Sequence, residues 1–152
     1  MWLGENQRFL GLDLGTKTIG LALSDAGRKI ATPYATLARK KLKDDAAELA
    51  RIAAKEGVGG LVLGLPVNMD GTEGPRCQAS RSFARNLAPL LPLPLSFWDE
   101  RLSTVAVQRM MVEADLSRAR RAELVDKLAA GYILQAYLDW LQGQAATQSE
   151  SP

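Results

Sequence analysis

The chain reads as an α/β protein built on a mixed five-stranded sheet, a leading antiparallel hairpin followed by βαβ units with helices on both faces. Two observations predict this. Two short apolar runs, Arg8 to Leu14 and Ile19 to Ser24, are separated only by Gly15-Thr16-Lys17-Thr18, a connection short enough to force a hairpin. Further apolar runs at Gly60 to Leu65 and Leu95 to Asp99 alternate with stretches of helical periodicity. Such alternation makes parallel crossovers, which cover both faces of a sheet.

In the second run Gly20, Ala22 and Ser24 alternate with Ile19, Leu21 and Leu23, so one face of that strand carries only small side chains and invites close packing. A third strand falls near Lys29 to Ala38, where Pro33 restricts it to a sheet edge or a turn. Leu42, Ala46, Leu49, Ala50 and Ala53 recur at helical spacing, which predicts a helix over Lys43 to Glu56, stopped by Gly57. The strand Gly60 to Leu65 ends at Pro66, and Asn68 to Gly74 is a run of turn formers. Pro75 suits the first turn of a helix reaching about Leu91, with Arg81 and Arg85 one turn apart, before Pro92 and Pro94.

After the strand Leu95 to Asp99, Ser103 or Thr104 can cap a helix to about Glu113. Asp115 to Glu123 reads as an exposed, arginine-rich connection, and Leu124 to Leu141 as the last helix. Gly131 is a poor helix former where that helix should meet the sheet, and close backbone packing would explain it. Residues 8–142 form one domain on this reading, and the polar stretch 143–152 a disordered tail.

Composition narrows the chemistry. The 152 residues suit one domain of ordinary size. No apolar stretch approaches the roughly 20 residues of a bilayer span, and Met1 to Gln7 lacks the pattern of a secretory signal, so a cytoplasmic protein is expected. There is no histidine and one cysteine, Cys77, which removes Cys/His zinc sites, internal disulfides and the commonest general base. Only hard oxygen donors remain for a metal, favouring magnesium or manganese.

Three distant carboxylates fit that role. Asp13 lies in an apolar strand, where a charge is costly unless paired. Glu100 falls at a strand's carboxyl end, where open α/β sheets place ligands. Asp126 shares a helical face with Ala130, Ile133, Leu134, Tyr137 and Leu141, the face expected to turn towards the sheet. The net charge of +2 is too small to establish a nucleic-acid partner. The basic residues nonetheless cluster, at Arg39, Lys40, Lys41 and Lys43 and at Arg118, Arg120 and Arg121, and beside an acid cluster they gain weight as phosphate contacts.

Ribonuclease H-like folds have this arrangement of elements, and so in part do actin-like ATPases and sugar kinases, whose first hairpin begins with a similar Asp-x-Gly-Thr turn. A kinase reading fails on size, because those proteins need a second such domain. The motifs closely resemble the YqgF family (RuvX-like), described as Holliday-junction resolvases and as nucleases maturing precursor 16S ribosomal RNA. The resemblance rests on Gly11 to Asp25, on Gly64-Leu65-Pro66 with Asp70 to Gly74, on Asp99 to Thr104, and on Asp126 to Ala130 with Ile133-Leu134-Gln135.

It implies a ribonuclease H-like fold and catalytic acids at Asp13, Glu100 and Asp126, holding two Mg2+ or Mn2+ ions for phosphodiester hydrolysis. Asp25 and Glu123 are the candidates for a fourth ligand, although Asp25 also suits a turn. Thr16, Lys17 and Arg101 are expected to contact phosphates near the cleaved bond, and Arg118, Arg120 and Arg121 the backbone further away. The partner implied is nucleic acid, structured RNA in ribosome biogenesis or alternatively branched DNA. Junction resolution would require a homodimer, whereas RNA processing needs no such symmetry. A non-catalytic ribosome-assembly module remains the alternative to an enzyme.

Overall fold

The structure is a computed structural model that describes residues 3–102 and 118–150, the side chains of 118–126 and 145–150 excepted. Its elements are β1 (Arg8–Leu14), β2 (Thr18–Ser24), β3 (Ala31–Ala38), α1 (Leu42–Glu56), β4 (Val58–Leu65), α2 (Pro75–Leu87), β5 (Leu95–Asp99) with a 3-10 turn over Glu100–Leu102, and α3 (Arg118–Glu150). The sheet order is β3-β2-β1-β4-β5, with β2 antiparallel to both neighbours and β1, β4 and β5 parallel. The expected hairpin and crossovers are therefore present.

Alternation along the strands sends the two sets of side chains to different partners. Leu10, Leu12 and Leu14 of β1 join Ile19, Leu21, Leu61 and Leu63 in a core closed by Leu49 and Ile52 of α1 and by Phe83 and Leu87 of α2. Phe9, Ala22, Val62 and Trp98 point to the other face, where Ala130, Ile133, Leu134, Tyr137 and Leu138 of α3 cover them. The helices thus lie on both faces, α1 and α2 on one and α3 on the other.

Local signals set most element ends. Gly57 closes α1 in the left-handed conformation, φ 67°, with its N–H donating to the Ala53 carbonyl. Pro75 opens α2 at a position that lacks an N–H partner in any case. That helix ends at Leu87, short of the expected Leu91, although Ala88 keeps right-handed α angles and Leu90 and Leu91 still donate to the Leu87 carbonyl. β3 is an edge strand, as Pro33 requires, and its register with β2 shifts between Leu21 and Ala22. Cys77 is buried in α2 as a small hydrophobe, its thiol pushed up by burial and by the neighbouring Glu73 carboxylate.

The last helix departs most from expectation. It begins at Arg118, inside the stretch expected to be an exposed connection, and its backbone runs through Glu150, into the stretch 143–152 that was expected to be a disordered tail. Ala, Gln, Arg and Glu are adequate helix formers, and nothing after Gly143 breaks the helix before Pro152. The helix expected over 103–113 lies outside the described residues.

Candidate functional site

The carboxyl ends of β1, β4 and β5 define one edge of the sheet, and the β1–β2 hairpin turn, the β3–α1 connection, the 66–74 loop and the 100–102 turn all emerge there. Asp13 sits at this edge, second to last in β1, opposite Gly20 of β2. It is 3% exposed, in a strand whose other residues, apart from Arg8, are apolar or glycine. Strand parity puts it on the α3 side, in line with Phe9 and Gly11.

Glycines let α3 come this close. A Cβ on Gly11 would meet the Leu134 Cβ at 2.8 Å and the Ala130 carbonyl oxygen at 3.2 Å, so helix backbone presses on strand backbone. At Gly64 of β4 an added Cβ would meet Ile133 Cδ1 at 2.6 Å and Glu100 Cγ at 3.2 Å. Glu100 therefore leaves the end of β5 and lies over Gly64 on the α3 side, the side that also holds Asp13. Gly131, by contrast, faces Pro33 with its nearest atom at 3.5 Å, ordinary contact distance. The expected explanation for that glycine fails, since the close approaches are made by strand glycines.

The direction of α3 follows from its contacts. The Phe9 and Tyr137 rings meet edge to face at 5.4 Å, and Gly11, one step nearer Asp13, meets Leu134 and Ala130. The helix runs antiparallel to β1, and its residues before Ala130 lie towards the Asp13 edge. Asp126 is one turn before Ala130 in the backbone; its side chain is outside the described residues, as are those of Arg118, Arg120, Arg121 and Glu123. Among the described residues no three acids form a metal-holding group. Asp13 and Glu100 are the two members of the expected triad whose side chains are described.

The remaining candidates are placed as follows. Thr16 and Lys17 are exposed in the two-residue loop closed by the Gly15 N–H donating to the Thr18 carbonyl at 2.8 Å. Arg101 turns its fork on Asp99, donating from Nη2 at 2.7 Å and from Nε at 3.1 Å, while the Asp99 carboxylate also accepts the Arg101 backbone N–H. The Arg101 guanidinium holds the Asp99 carboxyl below its ordinary range, against a smaller opposing effect of burial. Arg101 Nη1 reaches the Met69 carbonyl at 3.5 Å and lies 3.7 Å from where a Gly71 Cβ would stand. The guanidinium thus joins the end of β5 to the 68–74 loop.

That loop is internally tied. Asp70 Oδ1 accepts from both the N–H and the hydroxyl of Thr72, Asn68 donates to the Thr72 hydroxyl, and Glu73 pairs with Arg81 of α2. Asp99 and the loop contact were not anticipated from sequence, although an acid two residues before an arginine at a strand end was the available signal. Asp25 is a turn residue: its Oδ1 accepts the N–H groups of Lys29 and Ile30, which hold its carboxyl low. It sits in the β2–β3 turn, at the opposite edge of the sheet from Asp13.

An antiparallel hairpin leading into parallel βαβ units, with two acids at the carboxyl edge under a closely packed helix, defines a ribonuclease H-like α/β domain. Its shape matches Thermus thermophilus RuvC in complex with a Holliday junction substrate, with a TM-score of 0.57 over 90% of this chain and 96% of that one, at 13% identity. The family profile described as "RuvX: Holliday junction resolvase" matches residues 7–140, and the chain belongs to that family. A protein of Paramagnetospirillum magneticum named "Putative pre-16S rRNA nuclease" is 64% identical over 143 residues, covering 94% of this chain and 92% of that protein. One of the same name from Cereibacter sphaeroides is 62% identical over 139 residues, covering 91% and 87%.

Proposed function

We propose that the protein is a metal-dependent nuclease that hydrolyses phosphodiester bonds at the Asp13 edge, and that its substrate is the 5′ region of precursor 16S ribosomal RNA. The single observation that carries the reading is the buried Asp13 carboxylate on the same side of the sheet as Glu100, at the edge where parallel strands end. The named activity of relatives more than 60% identical over most of their length supports the choice of substrate.

The described donors suit a hard divalent cation. Both are carboxylates, one is almost wholly withdrawn from water, and the sequence offers no imidazole to select a softer metal. Asp13 and Glu100 would hold the metal, with Asp126 as the third ligand on the α3 backbone stripe that leads to the same edge. Bound there, divalent ions supply a hydroxide-like nucleophile at neutral pH and positive charge for the departing oxygen.

The chain's own groups then position the substrate. Thr16 and Lys17, exposed on the turn that follows Asp13, offer a hydroxyl and an ammonium to phosphate oxygens. Arg101 is held by Asp99, so a phosphate gains its fork only in competition with that carboxylate; its first effect is to keep the 68–74 loop beside Glu100. Arg118, Arg120 and Arg121, at the start of α3, are read as contacts to the backbone further off. Gly64 leaves the space in which Glu100 lies.

The test offers the purified protein precursor 16S RNA and a four-way DNA junction, each with magnesium, manganese or chelator. Cleavage of the RNA that chelator abolishes, and that Asp13→Asn lowers by more than about a hundredfold, is expected. That figure is the upper end of what losing even an outer partner of a metal costs. Cleavage of neither substrate under any metal overturns the enzyme reading, and cleavage of the junction alone overturns the RNA reading.

A further inference from the structure

The fold brings Lys17 of the hairpin turn to the basic cluster Arg39, Lys40, Lys41 and Lys43 at the Asp13 edge. β3 runs antiparallel to β2 with Ala38 opposite Thr18, so the chain leaving β3 emerges beside the hairpin turn that carries Lys17. The Arg39 N–H donates to the Lys17 carbonyl and its Nη1 to the Gly15 carbonyl, both at 2.8 Å, pinning the two connections together. The Arg39 guanidinium also lies 5.8 Å from the centre of the Phe83 ring, and the Lys40 N–H is held at 3.0 Å by the buried Asp45 carboxylate. Arg39 and Asp45 thereby shape the connection and leave Lys17, Lys40, Lys41 and Lys43 exposed along it.

Among the described residues few negative groups offset these lysines. Asp44 is exposed among them, Asp45 is turned inward on the Lys40 amide, and Glu48 is taken by Arg51 with only a weaker attraction from Lys40. Lys41 caps the start of α1 and Lys43 lies in its first turn. That end of a helix is positive, so cations there oppose the helix dipole, and stability alone would choose acids. Asp44 and Asp45 in the same turn meet the dipole, so Lys41 and Lys43 are not needed there for stability, and four exposed lysines against the one exposed carboxylate of Asp44 make this part of the Asp13 edge suited to an anionic partner.

We propose that Lys17, Lys40, Lys41 and Lys43 form a docking ledge for the phosphodiester backbone of the nucleic acid, beside the cleavage centre and on its β2–β3 side. The proposal rests on the nuclease reading for the choice of polyanion. Lysines on flexible stems give no base readout, so the ledge contributes affinity and register and leaves sequence discrimination to other parts of the substrate site.

Binding measured without cleavage separates this proposal from the nuclease reading. In the full chain carrying Asp13→Asn, without divalent metal, Lys41→Glu/Lys43→Glu is compared with Lys29→Glu/Lys55→Glu. The second pair makes the same charge change at exposed positions of the opposite edge, in the β2–β3 turn and the last turn of α1. Anisotropy of a fluorescein-labelled single-stranded RNA and of a labelled four-way DNA junction is followed from low to moderate salt.

Loss of two phosphate contacts is expected to weaken binding on the order of tenfold at low salt and to flatten the salt dependence by about 1.5 in log–log slope. The control pair should stay within about twofold. The ledge variant should melt no lower than its parent, because carboxylates suit a helix start. Lys41→Gln/Lys43→Gln, which removes charge without reversing it, should show a smaller loss of the same kind. Equal weakening by ledge and control variants, or none by the ledge variant on either probe, would overturn the proposal whatever the protein cleaves.

Discussion

The two faces of the sheet are built to different rules. Against α1 and α2, β1, β2 and β4 present leucine and isoleucine, and the helices answer with Leu49, Ile52, Phe83 and Leu87. Against α3 the same strands present Gly11, Gly20, Ala22 and Gly64 beside Phe9 and Val62, and the rest of the bulk comes mainly from the helix and from Trp98 of β5. The first face fills its volume with side chains, so stability is spread over many aliphatic contacts. The second trades side-chain volume for backbone proximity, which brings a helix within reach of the acids at the strand ends. The proposed cleavage centre lies on the thin face, where Asp13 and Glu100 share an edge with the approaching helix.

The contrast predicts that damage to each face reads out differently, and a core truncation gives the largest effect on stability. Leu49→Ala removes a fully buried side chain from the α1 core and should cost about 2–5 kcal/mol by thermal or urea unfolding. Cleavage per folded molecule should be unchanged. Gly11→Ala adds a single methyl, yet its Cβ would stand 2.8 Å from the Leu134 Cβ and 3.2 Å from a backbone oxygen that cannot swing aside. A loss of about 1–3 kcal/mol follows from overpacking of this kind. Because relief requires α3 to lift from the sheet, cleavage per folded molecule should also fall. If Gly11→Ala destabilised without affecting turnover, the helix would not be positioning the site.

Much of this arrangement was readable in the residues. Alternation in Ile19 to Ser24 correctly separated a small face from a bulky one, and the position of Glu100 after an apolar run correctly put it at a strand end. What sequence could not supply was the choice among surface groups of similar chemistry. Arg101 has both Asp99 and Glu100 beside it, and only the geometry of the 100–102 turn selects Asp99. The basic cluster at Arg39, Lys40, Lys41 and Lys43 was legible, but its proximity to Lys17 was not, because that depends on strand register and on Arg39 spanning two connections. The bounds of α3 were misjudged for a different reason: a run of arginine and glutamate suits a solvated helix as well as a loop, and hydrophobic periodicity is silent on both.

Gly131 sharpens the comparison with the smallest expected effect. It lies in the middle of α3, buried, and its neighbour across the gap is the Pro33 ring of the edge strand, 3.5 Å from where a Cβ would stand. No strained backbone is involved, since φ there is not positive. Gly131→Ala therefore removes unfolded-state freedom and adds a normal contact, and should stabilise the protein by about 0.5–1 kcal/mol. The same substitution at Gly11, facing the same helix, should do the reverse. The sign difference between two glycine-to-alanine changes, read as shifts in melting temperature, locates where α3 touches the sheet backbone. A destabilising Gly131→Ala would mean that the close packing extends to β3 and is not confined to the strands next to the acids.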